Sequence, residues 1–468
     1  MEQLSGTPKI NPLLRFWRGG IFRSELSGTF NLALPLMLGE LSTMLMGMIG
    51  TIMTGHLGTT ELAAYGIASV LFVISMLLIW GSVRMIPTPV AEAHELRDGV
   101  RVRTLLLAGL LLSVFFVLVA CPLLWIGVES FHLLQQDPEV AVLAVEYLKI
   151  IVYSLPALIA FAILVNYADA FEYVRLTMVL SFFGLALDVL LNWLFIFGKF
   201  GLPKMGINAI AMNTGIVNAL MALALVGVIV WKKELAYVRQ SRTNFKAVWK
   251  QTKSFIRYGV PSALQIMIEF AAFGAGTVII GQISKTEQAA HQIAINLISV
   301  TYVTIMGVST AGMIRVGQAM AYKSRVRVWM AGVATIGLAL LIMLIPTLAF
   351  LLFPGPIVSL YIQDQKVIAI ATTLVFLAAF FELADAAQAS SISLLRSLND
   401  VVQPSVISLV AFWVIGLPFG YWLAVHQGWN AKGIWMGYLV ALIIQAILFL
   451  RRFFRLVKNM KGPSDPIV

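Results

Sequence analysis

Long apolar runs dominate the chain, and polar and apolar positions do not alternate within them. Twelve runs are long enough to cross a bilayer, since a spanning helix needs about 20 apolar residues. The strands of a membrane barrel would give short alternating segments instead, so the runs predict an all-α polytopic membrane protein. The predicted spans are 28–50, 62–92, 104–126, 143–168, 176–198, 207–231, 256–281, 288–318, 328–353, 367–395, 402–425 and 432–452.

Lys and Arg residues lie almost entirely on one side of the predicted spans. Of the 33, 26 fall on the side of the two chain ends, six fall on the opposite side, and Arg84 lies within a span. Basic loops face the cytoplasm, so both termini are predicted to be cytoplasmic. The net charge of +11 therefore needs no nucleic acid as a partner, because the anionic lipid of the bilayer is sufficient.

Composition supports the membrane assignment. Hydrophobic residues make up 60% of the chain and charged residues 12%, against about 45–50% and about 25% in soluble domains. A mean hydropathy of +0.90 excludes a surface that mostly faces water. Cys121 is the single cysteine, so no intramolecular disulfide is possible.

The chain contains an internal repeat. The segment that starts at Pro35, PLMLGELSTMLMGMIGTIMTGHLGTTELAAYGIA, matches the segment that starts at Pro261, PSALQIMIEFAAFGAGTVIIGQISKTEQAAHQIA, without a gap at an offset of 226 residues. Because this offset crosses six spans, an even number, the two copies are predicted to run parallel. The repeat predicts an N-terminal lobe over 1–231, a cytoplasmic linker over 232–255 and a C-terminal lobe over 256–468.

Several motifs resemble those of a known transporter family. They are GKFGLPKMGINAIAMNT at 198–214, RVGQ at 315–318, LLRSLNDVVQPS at 394–405, FWVIGLPFGYWLA at 412–424 and GIWMG at 433–437. The helix-bending prolines Pro35 and Pro261 also sit where the family has prolines. In this order, and over nearly the whole chain, these motifs are similar to those of multidrug and toxic compound extrusion (MATE) transporters of the NorM type.

The resemblance implies a MATE fold, with twelve helices in two pseudo-symmetric six-helix lobes. It also implies cation-coupled antiport, in which Na⁺ or H⁺ enters as an organic, often cationic or amphipathic, compound leaves by alternating access. The alternative within the transport class is a lipid-linked saccharide flippase of a related family. We expect a monomer in the plasma membrane, the inner membrane of a bacterium, with small-molecule substrates.

No enzyme activity or cofactor is expected. The spans contain no nucleophile–base set and no metal-ligand spacing such as HExxH, and no phosphate-binding GxxxxGK[ST] motif occurs. Transport would therefore draw on an ion gradient rather than on ATP. No metal is predicted beyond a transported Na⁺.

Six charged residues lie near the middle of predicted spans, away from the span ends. A charge at the bilayer centre costs roughly 2.5–3.5 kcal/mol, so each of them is a functional candidate. Five are acids and one is basic, which argues against a flippase, because a flippase would need a basic cavity for a pyrophosphate. The six are Glu40, Arg84, Asp188, Glu269, Glu382 and Asp385.

The resemblance assigns coupling-cation binding to Glu269 and Asp385. The family carries a carboxylate in the seventh helix and an aspartate in the tenth helix at matching positions. Glu382 lies one helical turn before Asp385 on the same face and joins them as a candidate. Carboxylate oxygens suit a hard cation such as Na⁺, and neighbouring carboxylates can instead share a proton. A buried structural hydrogen bond is the alternative for each acid.

The N-terminal half departs from the family pattern. NorM-like members usually carry an acid fifteen residues after the first proline, and here that position is Gly50. Glu40 lies about three turns earlier, and Asp188 and Asn192 share a face of the fifth span. We predict a second cation or substrate site made of Asp188, Asn192 and Glu40. An ion pair between Glu40 and Arg84 is the alternative, and it would make Glu40 structural.

Overall fold

The computed structural model describes residues 21–129, 131 and 137–460. Twelve helices in that part of the chain are long and apolar enough to span a membrane, and the part contains no strand. Each predicted span overlaps one helix, so the twelve-helix architecture is confirmed. The helices are α1 Phe22–Gly55, α2 Thr59–Glu95, α3 Gly99–Glu129, α4 Pro138–Ala170, α5 Val174–Phe197, α6 Asn208–Trp231, α7 Phe245–Ile283, α8 Lys285–Ala321, α9 Arg325–Leu352, α10 Gln365–Ser397, α11 Val402–His426 and α12 Ala431–Asn459.

Helix α2 is broken near its end, although the sequence predicted one continuous run. Thr59–Val83 and Pro87–Glu95 are separate helical segments, and Arg84 directly follows the first. Pro87 opens the second segment, where its missing N–H and fixed φ are tolerated. The break places the Arg84 side chain at a bend of the spanning segment.

The predicted linker over 232–255 is only partly a connection. Helix α7 begins at Phe245, inside this linker, because Asn244 caps it by accepting a hydrogen bond from the Ala247 N–H at 2.7 Å. Basic residues in its first turns marked the segment as a loop, but they lie on exposed positions of the helix. The remaining connection packs on α3, where the Thr104 and Thr243 hydroxyls are 2.7 Å apart.

The two six-helix lobes, α1–α6 and α7–α12, meet along a seam formed by α1, α2 and α3 on one side and by α7, α8 and α9 on the other. The end of α10 reaches the seam at Ser397, which accepts a hydrogen bond from the Thr88 hydroxyl. The Ser262 hydroxyl donates to the Gly81 carbonyl across the seam at 2.8 Å. A Cβ placed at Gly81 would lie 2.3 Å from the Cα of Ala263. Small residues let membrane helices approach this closely, which favours dispersion contacts between them.

The seam lies on the side of the basic loops, called the basic face below. Arg315 forms an ion pair with Glu25 there, and Tyr322 donates to Glu95 at 2.5 Å. All hydrogen bonds and ion pairs between described residues of the two lobes fall in this half of the helices. Toward the other face no hydrogen bond or ion pair between described residues joins the lobes, and we interpret the space between them there as a cleft. Glu40 of α1 and Tyr302 of α8 are exposed although both lie within spans.

Candidate functional site

Glu269 lies in a polar cluster inside the C-terminal lobe. Its Oε1 accepts hydrogen bonds from Gln388 Nε2 at 2.8 Å and from the Ser408 hydroxyl at 3.0 Å. Gln445 completes the cluster, because its Oε1 lies 3.1 Å from Gln388 Nε2 and 2.8 Å from the Ser408 hydroxyl. Gln388, Ser408 and Gln445 are almost fully buried. Helices α10, α11 and α12 therefore each contribute one polar side chain around this carboxylate of α7.

Asp385 and Glu382 lie one turn apart on α10 but differ in environment. The Glu382 carboxylate is buried and accepts a hydrogen bond from the Thr301 hydroxyl at 2.6 Å. The Asp385 carboxylate has no hydrogen-bond partner among the described residues. Asp385 is within electrostatic range of both Glu269 and Glu382. The structure therefore groups the three predicted acids and leaves Asp385 as the one without a structural bond.

Asp188 and Asn192 lie together inside the N-terminal lobe. Asn192 Nδ2 donates to Asp188 Oδ2 at 2.9 Å, and Asn213 Nδ2 donates to Asn192 Oδ1 at 2.9 Å. All three side chains are buried. The rings of Tyr65 and Tyr147 meet edge to face, with centroids 5.5 Å apart, within electrostatic range of Asp188. Asn213, which the sequence reading did not select, extends the predicted pair into a chain of three.

Tyrosine hydroxyls occupy the space beside Gly50 and its repeat partner. A Cβ placed at Gly50 would lie 3.1 Å from the Tyr65 hydroxyl oxygen. At Gly276, the equivalent position of the second repeat, a Cβ would lie 1.7 Å from the Tyr438 hydroxyl oxygen. The absence of the family's acid at Gly50 thus has a structural reason. The Tyr65 hydroxyl lies in the place that a side chain at this position would take.

Glu40 stands apart from both clusters. It is within electrostatic range of Arg84 and Asp169. No ion pair joins Glu40 and Arg84 among the described residues, so the pair considered from the sequence is not formed in this conformation. No hydrogen bond between described residues connects Glu40 to Asp188 either. Glu40 is instead an exposed residue of α1.

Sequence patterns missed two buried charges at helix ends. Arg396 was assigned to a cytoplasmic loop, but it lies in the last turn of α10 and is 5% exposed. Its guanidinium donates to Gln265 Oε1, and its Nε has no partner. Asp169 is buried at the end of α4 and accepts from the Thr177 hydroxyl at 2.6 Å. The run of small and apolar residues before Arg396 was the available signal that α10 continues into the protein.

The predicted prolines lie inside helices, Pro35 in α1 and Pro261 in α7. The Ser405 hydroxyl donates to the Pro261 carbonyl at 2.9 Å, which ties α11 to α7 one turn before Gln265. Proline removes one backbone hydrogen bond of its helix. Within the described part of the chain, no group of three or more His, Cys, Asp or Glu side chains could hold a metal ion.

Two parallel six-helix lobes that close on one face around buried acids define a polytopic membrane transporter. A profile of the MatE family matches residues 35–194 and 261–422. It matches each lobe once, and the two matches start at the offset of the internal repeat. The chain belongs to the multidrug and toxic compound extrusion (MATE) family.

Similar proteins agree with this assignment. A probable multidrug resistance protein NorM of Agrobacterium fabrum is 28% identical over 94% of this chain and 96% of its own. The multidrug resistance protein NorM of Vibrio cholerae is also 28% identical, over 94% and 97%. A solved structure described as the outward-facing conformation of a multidrug resistance MATE family transporter has a TM-score of 0.81 at 17% identity, over 95% of this chain and 98% of that chain.

The family is one of membrane transporters and not of enzymes. With twelve spanning helices, the chain is a multi-pass membrane protein. Its bacterial relatives support the plasma membrane, which is the inner membrane of such cells. The transport class and the MATE fold expected from the motifs are thereby confirmed.

Proposed function

We propose that this protein is a cation-coupled antiporter that exports organic, cationic or amphipathic compounds by alternating access. The observation that carries the proposal is the grouping of Glu269 with Asp385: Glu269 accepts a hydrogen bond at 2.8 Å from Gln388, which lies one turn from Asp385 on α10, in a molecule whose lobes are bonded to each other on the basic face. Two carboxylates in a low-dielectric site need a counter-charge. A bound Na⁺ or H⁺ supplies it, and so does a cationic substrate, which makes exchange direct.

Exchange follows if the cation and the substrate favour opposite conformations. A ligand shifts a conformational equilibrium only by its difference in affinity for the two states. Here the acids of α7 and α10 would hold the cation while the cleft faces one side, and would release it after the seam opens. The membrane potential contributes about 2.3 kcal/mol per charge per 100 mV, so no cofactor is needed.

The N-terminal lobe supplies a second candidate site for a cation or for substrate. Asp188 and Asn192 are hydrogen-bonded to each other, and Glu40 is an exposed residue of α1. We propose lobes over 1–231 and 256–468, with the first turns of α7, from Phe245, extending the C-terminal lobe into the connection, and we propose that the basic face is cytoplasmic. We further propose that the transporter acts as a monomer, since each chain carries both lobes, and that it needs only the bilayer and its substrates.

A flippase for lipid-linked saccharides is not favoured. Such a cleft would have to bind a pyrophosphate, and the carboxylates of Glu40 and Asp385 would repel it. Arg396 adds one positive charge to that of Arg84, yet its guanidinium is buried on Gln265. The acids therefore still dominate the cleft.

Efflux from liposomes tests the function. The purified protein is reconstituted with ethidium as the probe, and Na⁺ and pH gradients are imposed separately. At least one gradient is expected to drive ethidium against its own gradient, and unlabelled substrate on the far side is expected to stimulate exchange. Failure of both gradients would overturn antiport, and transport without such trans-stimulation would indicate a channel.

A further inference from the structure

In the polar cluster around Glu269, the Ser408 hydroxyl lies within hydrogen-bond distance of two acceptors. The Ser408 hydroxyl lies 3.0 Å from Glu269 Oε1 and 2.8 Å from Gln445 Oε1. A hydroxyl has one proton to donate, so it can satisfy only one of them at a time. An ionised carboxylate is the stronger acceptor. Ser408 therefore donates to Glu269 while that acid is charged, and turns to Gln445 once a cation has neutralised it.

Gln265 extends the cluster by one turn of α7 toward the basic face. Its Nε2 lies 3.5 Å from the Ser408 hydroxyl oxygen, to which it donates, and its Oε1 accepts from the Arg396 guanidinium. Gln265 and Arg396 are 1% and 5% exposed. Two uncharged side chains, those of Ser408 and Gln265, thus connect the carboxylate of Glu269 to a buried positive charge.

Arg396 lies directly at the seam. Its neighbour Ser397 accepts a hydrogen bond from the Thr88 hydroxyl of the other lobe at 3.0 Å. Arg396 also lines a cavity of about 170 Å³ that both lobes share on the basic face, together with Thr88 and Glu92 of the N-terminal lobe. A movement of the Arg396 side chain would therefore act on the contact between the lobes.

A second arginine faces Arg396 from the other lobe. Arg84, at the break in α2, is within electrostatic range of Arg396, and its side chain has no hydrogen bond or ion pair among the described residues. Tyr302 is within range of both arginines and of both acids, Glu269 and Asp385. When Glu269 and Asp385 are ionised, they offset these two positive charges, and Glu40 contributes a further negative charge within range of Arg84.

We propose that Arg396 is a positioning residue that couples cation binding at Glu269 and Asp385 to opening of the seam, an inference that rests on the proposed antiport. With the acids charged, the repulsion between Arg396 and Arg84 is compensated and the lobes stay closed on the basic face. A bound cation reduces that compensation and turns Ser408 toward Gln445. The two like charges then favour separation of the lobes at the face where the cation is to be released.

Spin-label distances across the seam test the proposal. Cysteines replace the exposed Leu96 and Val326, which flank the seam on the basic face, in a Cys121→Ser background. In the otherwise unaltered protein, adding Na⁺ or lowering the pH is expected to increase the population with long distances. Binding of the same cation is followed in parallel by the rise in the thermal unfolding midpoint.

Arg396→Gln is expected to reduce the cation-induced increase of the long-distance population at least about fivefold, which corresponds to about 1 kcal/mol. The rise in the unfolding midpoint is expected to persist, because the acids remain.

Gln265→Leu keeps every charge but removes the hydrogen-bonded connection between Ser408 and Arg396, so a smaller reduction of the cation-induced increase is expected. Arg396→Lys keeps the charge and should retain most of the response. Arg101→Gln is the matched control, since Arg101 lines the same cavity but pairs at 2.7 Å with Glu92 of its own lobe.

The outcomes separate this inference from the proposed function. A parent protein that responds to neither cation contradicts antiport itself. A parent that responds, with Arg396→Gln responding equally, overturns the role of Arg396 and leaves antiport intact. If Arg396→Gln does not fold, the other two variants test the coupling. An unchanged cation-induced increase of the long-distance population in Gln265→Leu would contradict it. A complete loss of that increase in Arg396→Lys would contradict it as well.

Discussion

At Gly50 the N-terminal lobe has a tyrosine hydroxyl where the family usually has an acid. Gly50→Asp is expected to lower the thermal unfolding midpoint, because its Cβ would lie 3.1 Å from the Tyr65 hydroxyl oxygen and overpacking typically costs about 1–3 kcal/mol. The double variant with Tyr65→Phe should recover most of the loss. Gly47→Asp is the control, since a Cβ there meets nothing within 4 Å. Equal losses in the single and double variants would show that Tyr65 is not the obstacle.

The acids of α10 should respond differently to neutralisation. Asp385→Asn is expected to reduce gradient-driven efflux to the background of empty liposomes, because Asp385 has no structural bond and a neutral amide cannot supply the counter-charge. Glu382→Gln should keep efflux within about threefold, since an amide oxygen can still accept from Thr301 and a neutral hydrogen bond contributes about 1 kcal/mol. Initial rates at saturating substrate measure both. Loss of efflux in both variants would place Glu382 in the cation site.

Residue chemistry explains which parts of the site were predictable. Glu269, Asp385 and Asp188 stand out in the sequence because a carboxylate in an apolar run is rare and costly. Gln388, Gln445 and Ser408 carry no such signal, since uncharged polar residues are tolerated in spans. Their grouping depends on how four helices pack, which no local pattern contains. The charged residues of the site are therefore evident from the sequence, whereas the uncharged side chains that hydrogen-bond to them are not.

At the scale of helices, the ion pair between Arg315 of α8 and Glu25 of α1 acts as a latch on the basic face. Both side chains are about one-fifth exposed, so the pair contributes on the order of 0.2–1 kcal/mol. Arg315→Gln is therefore expected to increase the seam-open population by up to about fivefold, as reported by the Leu96–Val326 label distance. Arg325→Gln, an exposed arginine of α9 without an acidic partner in the described structure, is the control. A tenfold or larger effect of Arg315→Gln would mean that this ion pair is much stronger than exposed ion pairs are.

A second contact between these lobes should be insensitive to pH near neutrality. The hydrogen bond to Glu95 and the Glu95 charge raise the pKa of Tyr322 above its ordinary value of 10. For a raised pKa, the stabilisation is fully present below the ordinary value and is lost only as pH rises through the raised one. Tyr322→Phe should therefore change the label distances equally at about pH 6 and about pH 8. A difference between the two would show that Tyr322 contributes to pH sensing.

Helix positions were more predictable than helix ends and breaks. Twelve runs of apolar residues identified twelve spans because the bilayer demands continuous hydrophobic length. The start of α7 at Phe245 was missed, since its exposed basic face reads as a loop when only hydropathy is considered. The break at Arg84 was missed because the residues on both sides are apolar, and only Pro87 marked it.

For the whole molecule, close approach of the lobes depends on glycine. Gly81→Ala is expected to favour the conformation with the seam open, because its Cβ would lie 2.3 Å from the Cα of Ala263 and backbone would have to move. Gly66→Ala in the same helix meets nothing within 4 Å and should leave the label distances unchanged. An unshifted distance distribution in Gly81→Ala would mean that the lobes adjust without separating.

Helix α7 is anchored on α2 at Ser262 and Ala263, and its residues lie at very different distances from this pivot. Ala263 lies 20 residues from the end of α7 at Ile283, or about 30 Å, whereas Glu269 lies about 9 Å away. A rotation of about 10° about this pivot would move the far end by about 5 Å but Glu269 by less than about 2 Å. The end of α7 at the open side of the cleft can therefore move by several ångströms while Glu269 moves little. A cation bound at Glu269 would then keep most of its ligands during most of the conformational change.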